Sequence, residues 1–130
     1  MPSQTVLLVE DSDFLTAHVS ETLRSEHGFD IETAESAAET RSVLEDGGID
    51  CVVTNYELPD ETGIDLAASL AEIGGASDVP VVLFTGNSIE SLAEEALEAG
   101  VSAFVSKSSR ASGDMNVFAN RIRLAIQANE

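Results

Sequence analysis

Positive charge is scarce in this sequence. Against 24 Asp and Glu stand six Lys and Arg in 130 residues, a net charge of −18. Five of those six are arginines, and Lys107 is the one lysine. A surface this acidic repels phosphate backbones, which excludes direct nucleic-acid binding as a main activity. It disfavours an anionic membrane surface for the same reason. Cysteine is nearly absent too. Cys51 stands alone, so no intramolecular disulfide forms, and no Cys/His cluster has zinc spacing. His18 and His27 lie apart in sequence. The apolar runs are only strand-sized, so none spans a bilayer. The start, Met1 to Gln4, lacks the basic residues and long apolar core of a secretory signal. A soluble cytoplasmic domain is the expectation.

Apolar residues are not lacking. They make up 43% of the chain, with 23% charged, which excludes a disordered acidic tail. The length fits one domain, residues 1–130, able to bury about two-thirds of its unfolded surface. The acidity reads as a solvated surface adapted to high salt, where screening tolerates crowded like charges. That points to a halophilic source, and makes a lone lysine worth locating.

Five β-rich runs alternate with helical stretches. The runs are Thr5–Val9, Phe29–Ala34, Cys51–Thr54, Val81–Phe84 and Ala103–Val105. The first, third and fourth are apolar on both faces, as strands covered on both sides should be. Ser12 or Asp13 can cap a helix over about Phe14–Glu26, with Gly28 as its stop. Ser36, with Glu39 three residues on, forms a capping box for a helix to about Glu45. A third helix is expected over about Ile64–Ile73. A fourth places Ile89, Leu92, Ala93, Ala96 and Leu97 on one face, and the last does so with Met115, Phe118, Ile122, Ala125 and Ile126. Alternation of this kind predicts a doubly wound α/β fold with helices on both faces of a parallel sheet. The usual order for five strands is 2-1-3-4-5, with the crevice where the order reverses.

Chemistry in such a fold belongs just past the carboxyl ends of the strands. Glu10, Asp11 and Asp13 follow the first, and Asn55 ends the third. Thr85 ends the fourth, and Ser106 and Lys107 follow the fifth. Each has an ordinary explanation: a solvated acid, a helix cap, a strand-end hydroxyl, a surface charge. Together they suit phosphoryl transfer. Paired carboxylates hold Mg²⁺, while a hydroxyl and an ammonium hold phosphoryl oxygens. A nucleophilic carboxylate should stand at the centre, on the third strand, where the chain has Asn55.

With these residues in order, the chain resembles the response-regulator receiver domains of two-component phosphorelay signalling. Four segments carry the resemblance: Val6–Asp13 (VLLVEDSD), Cys51–Asp60 (CVVTNYELPD) with Gly63, Val81–Gly86 (VVLFTG) and Ala99–Lys107 (AGVSAFVSK). Their flavour is similar to receivers of haloarchaeal sensor proteins. The resemblance implies a flavodoxin-like (βα)5 three-layer sandwich. It implies Mg²⁺ at Asp11 directly, at Glu10 largely through water, at the Glu57 carbonyl and at position 55. It makes Asn55 the altered phosphoacceptor position. Thr85 and Lys107 bind the phosphoryl oxygens, and Phe104 is the aromatic switch coupled to Thr85. The implied partners are a sensor histidine kinase and an output domain, attached or separate. The face of the fourth and last helices serves as the contact surface, including for a homodimer.

Three departures carry consequences. Asn55 is a poor nucleophile, cannot give the usual acyl phosphate and should weaken Mg²⁺ binding. It makes the chain a degenerate receiver or an Asp-to-Asn variant. Ser108 follows Lys107 where the family has proline, so a cis bond there would cost about 2.5–4 kcal/mol. Phe104 lacks a tyrosine hydroxyl, so its inward and outward positions differ by packing alone. The expectation is a signalling module rather than an enzyme. The rival reading is a Mg²⁺-dependent phosphohydrolase with an aspartyl nucleophile, for Asp11 and Asp13 have the D-x-D spacing it needs. Against it, no cap-sized insertion follows, and no second carboxylate pair ends a later strand. A flavodoxin-like FMN carrier would need a Ser/Thr-rich loop where the chain carries acids.

Overall fold

The computed structural model describes residues 4–70, 79–85, 94–95, 98–101, 103–106 and 116–128; at 15, 26–27, 85, 103–106, 116–119, 121 and 128 it describes the backbone alone. Five strands are β1 (Thr5–Val9), β2 (Asp30–Ala34), β3 (Cys51–Asn55), β4 (Val81–Thr85) and β5 (Ala103–Ser106). Between them run α1 (Asp13–His27), α2 (Ala37–Glu45) and α3 (Gly63–Leu70), and the C-terminal helix spans Asn116–Ala128. The strands pair in parallel in the order β2-β1-β3-β4-β5. The order reverses between β1 and β3, so the helices after them leave on opposite faces and their carboxyl ends open a crevice.

Period-two alternation sorts the central strands onto two cores. Val6, Leu8, Cys51, Val53, Val82 and Phe84 face Val19 and Leu23 of α1 and Ile122, Ala125 and Ile126 of the C-terminal helix. Leu7, Val9, Val52, Val81 and Leu83 face Ala37 and Leu44 of α2 and Ile64, Leu66, Ala67 and Leu70 of α3. Continuous apolar runs are thus explained: every residue of such a strand meets a helix on one side or the other. β2 is an edge strand, and its Asp30, Glu32 and Thr33 stay exposed, as its weaker pattern predicts. Among the described residues no helix is long and apolar enough to cross a membrane.

The helix ends follow the local signals with small shifts. The Ser36 hydroxyl accepts from Glu39 N at 3.1 Å, the first half of the expected capping box. Gly28 closes α1 with φ +74°, a conformation that a side chain would disfavour. α1 starts at Asp13, which lies in the first turn, where its charge suits the helix dipole. Ser12 is the flanking residue, its carbonyl accepting from Thr16 N at 2.9 Å. α3 is described to Leu70, and the expected continuation to Ile73 lies outside the described residues. Of the expected fourth helix, residues 94–95 and 98–99 are described and are helical.

Candidate functional site

The strand register brings the predicted residues to one edge. β1 and β3 pair Val9 with Thr54, so Glu10 and Asn55 come next on adjacent chains. β3 and β4 pair Asn55 with Phe84, which places the backbone of Thr85 one step beyond. β4 and β5 pair Thr85 with Ser106. Lys107 lies outside the described residues, as do the side chains of Thr85 and Phe104 and the peptide bond to Ser108.

Glu10 is 3% exposed although it is an acid at the end of a strand. Its Oε2 accepts from Ser12 N at 3.0 Å, which ties the carboxylate to the loop after β1. Its backbone is held by Glu10 N donating to Ala34 O at 3.0 Å. Asp11 and Asp13 are exposed, free to meet a hydrated ion or solvent. Among the described residues no three His, Cys, Asp or Glu side chains cluster in a way that could hold a metal ion.

Asn55 is 8% exposed and sits at the last position of β3. Its Nδ2 donates to the carbonyl of Glu57 at 2.8 Å. A carbonyl can only accept, so this bond fixes which end of the carboxamide faces the loop. The backbone carbonyl of Asn55 accepts from the Thr54 hydroxyl at 3.0 Å.

The loop after Asn55 is folded tightly on itself. Gly63 N donates to Tyr56 O at 2.6 Å and Leu58 N to Glu61 O at 3.2 Å, while Glu57 and Thr62 form an antiparallel bridge. The return is close enough that a Cβ at Gly63 would collide with the backbone oxygen of Asn55. Leu58 packs against the core of the α2/α3 face, which anchors the loop. Two acids in the loop reach α2. Asp60 accepts from Ala37 N and Ala38 N, each at 3.0 Å, and Glu61 pairs with Arg41. These bonds hold the Asp60 carboxyl below its usual pKa. Sequence reasoning placed Asp60 only within the loop motif and gave Arg41 no role. Twenty-two residues separate Asp60 from Ala38, and no local pattern announces such a bond.

Cys51 begins β3 with its side chain in the core, and burial, helped by the charge of Asp50, pushes its thiol up to about 12. It takes no part in the crevice chemistry.

Comparison with known proteins identifies the family of the chain. The family model of the response regulator receiver domain matches residues 6–115. The two-component response regulator ORR3 of Oryza sativa subsp. indica is 30% identical over 122 residues, covering 93% of this chain and 92% of that protein. The regulatory protein VirG of Agrobacterium tumefaciens (strain 15955) is 29% identical over 127 residues, covering 97% of this chain and 45% of that protein. Among solved structures, a sensor protein from Polaromonas sp. JS666 superposes with TM-score 0.88 at 22% identity, covering 99% of this chain and 100% of that one. The receiver domain of sensor histidine kinase PA1611 from Pseudomonas aeruginosa PAO1, which has a magnesium ion coordinated in its active site cleft, superposes with TM-score 0.80 at 19% identity, covering 97% of this chain and 99% of that one. The family match over most of the length, the full-length relative and the parallel sheet with its acidic edge all converge: this chain belongs to the response-regulator receiver domain family.

Proposed function

We propose that this chain, residues 1–130 as one domain, is a receiver that does not accept a phosphoryl group at position 55. It works as a protein-interaction module, held near one conformation or switched by its partner. The observation that carries this reading is Asn55 itself: a buried carboxamide at the end of β3, beside Glu10, bonded to the loop that follows. An amide nitrogen has no lone pair to offer and an amide oxygen is a weak nucleophile, so attack on a phosphohistidine or acyl phosphate stops at this residue.

The donor set suits a hydrated divalent cation held by few protein groups. Glu10 and Asp11 supply carboxylates, and Mg²⁺ commonly makes do with one or two while keeping its waters. The Glu57 carbonyl, a further oxygen of the right kind, is engaged by Asn55 Nδ2. Mg²⁺ binding is therefore weaker than an aspartate at position 55 would give. When bound, the ion would neutralise phosphoryl oxygens. Glu10 and Asp11 would hold the ion, and in a receiver with aspartate at position 55, Thr85 and Lys107 would hold the phosphoryl oxygens, with Phe104 coupled to Thr85. The partners are a sensor histidine kinase, an output domain, or a second copy through the face of the fourth and C-terminal helices. The module is cytoplasmic and non-enzymatic, and its net charge of −18 fits a halophilic, haloarchaeal source.

The experiment is phosphoryl capture. The chain is incubated with Mg²⁺ and acetyl phosphate, digested, and the peptide containing residue 55 weighed. It keeps its mass, whereas the same peptide from N55D gains a phosphoryl group. A phosphoryl adduct on the Asn55 peptide overturns the reading.

A further inference from the structure

The loop of residues 56–63 is closed on itself by the Gly63–Tyr56 and Leu58–Glu61 bonds and the Glu57–Thr62 bridge. Whatever holds one part of it holds Glu57 as well. Two ties reach it from α2. The Asp60 carboxylate spans the amides of Ala37 and Ala38, one oxygen to each, at 3.0 Å. One turn further on, Arg41 pairs with Glu61 and donates to the Ser69 hydroxyl of α3 through Nε at 3.3 Å and Nη2 at 2.9 Å. Arg41 thus joins α2, the loop and α3.

The first amides of α2 need acceptors from outside the helix, and the loop supplies two of them through Asp60. Ser36 caps only the next one, accepting from Glu39 N at 3.1 Å, so the start of α2 and the loop are satisfied together. The ties are also a selective use of charge. The chain has 24 acids and only six bases, and one of those bases, Arg41, is paired with Glu61 of the loop. Both partners are half-buried, and the pair holds the loop against α2.

We infer that Asp60 and Arg41 are positioning residues of the seat: they fix the Glu57 carbonyl against Asn55 and make the start of α2 move with it. The seat and the exposed face of α2 are then coupled in both directions, so a protein bound to α2 shifts the loop and a change at position 55 shifts α2. The inference rests on reading Asn55 and Glu57 as the seat. Loss of the coupling leaves that reading standing, because phosphoryl capture tests it separately.

The test follows nitrogen-15 resonances of the full chain in D60A, D60N and A38P. Ala38→Pro removes one donor from the helix side, in a first turn that tolerates proline. In D60A the Ala37 and Ala38 amides lose protection, and the Asn55 carboxamide protons exchange with water about tenfold faster, as a locally opened bond does. A38P moves the Asn55 carboxamide in the same direction, and it decides the matter alone if D60A does not fold. D60N, which keeps one acceptor oxygen, falls between. If Ala37 and Ala38 lose protection while the Asn55 carboxamide is unchanged in both D60A and A38P, Asp60 only caps a helix and the inference is overturned.

Discussion

The Asn55 carboxamide satisfies the Glu57 carbonyl directly, Nδ2 to O at 2.8 Å, so the loop closes on the strand end without help from an ion. An aspartate at this position would set a carboxylate oxygen against that carbonyl and call for a cation between them. N55D should therefore be stabilised by Mg²⁺, by about 2.7 kcal/mol once the ion reaches 100 times its Kd. The unmodified chain should gain much less at the same concentration. Thermal melts in Mg²⁺ and in EDTA, on both proteins, check this. Equal gains would mean that the amide bond does not stand in for the ion.

Gly63 is required by proximity. A Cβ there meets the Asn55 backbone oxygen, with the Leu83 and Thr54 side chains close behind. Backbone cannot yield as a flexible side chain can, so Gly63→Ala should cost about 1–3 kcal/mol, as overpacking does elsewhere. Urea denaturation reads this as a lower midpoint at constant slope. It should also loosen the Asn55–Glu57 bond.

Asp60 should contribute to the acid limb of stability. Its two backbone hydrogen bonds depress its pKa below the usual 3.8. A carboxyl depressed by folding contributes stability that is fully present above 3.8 and lost as pH falls through the folded value. The unmodified chain should therefore lose part of its stability below that point, and D60A should show a flatter acid limb. Denaturation midpoints measured across the acid range on both proteins test this, and identical curves would contradict it.

Cys51 should be silent until the chain opens. With its thiol pushed up to about 12 by burial, almost no thiolate exists near neutrality, and the sulfur lies in the core between sheet and helices. Labelling by a thiol reagent should be slow in buffer and should rise with denaturant in step with unfolding. Fast labelling of the folded chain would mean that the edge of β3 opens locally.

The fold was legible because two periods differ. Val6 to Val9, Cys51 to Val53 and Val81 to Phe84 read as buried strands from composition alone, and both cores claim them in alternation. The edge strand β2 was legible at Ile31 and Ala34 but blurred at its start, since Phe29 belongs to the core without belonging to β2. At the site, Glu10 and Asn55 follow from strand ends and register. The Asn55–Glu57 bond does not, because the orientation of a carboxamide is set by its neighbours in space. Asp60 was hidden for a similar reason. A residue after Leu58-Pro59 reads as turn chemistry, and its partners lie on another element, 22 and 23 residues away.

The central claim is that a carboxamide closes the reactive position of an otherwise ordinary receiver edge. Phosphorus-31 NMR of the unmodified chain and N55D, each in Mg²⁺ with excess acetyl phosphate, tests it most directly. N55D should develop an acyl phosphate resonance on the protein and consume the donor faster than buffer does. The unmodified chain should show neither. A protein-bound acyl phosphate on the unmodified chain, or none on a folded N55D, would contradict the account.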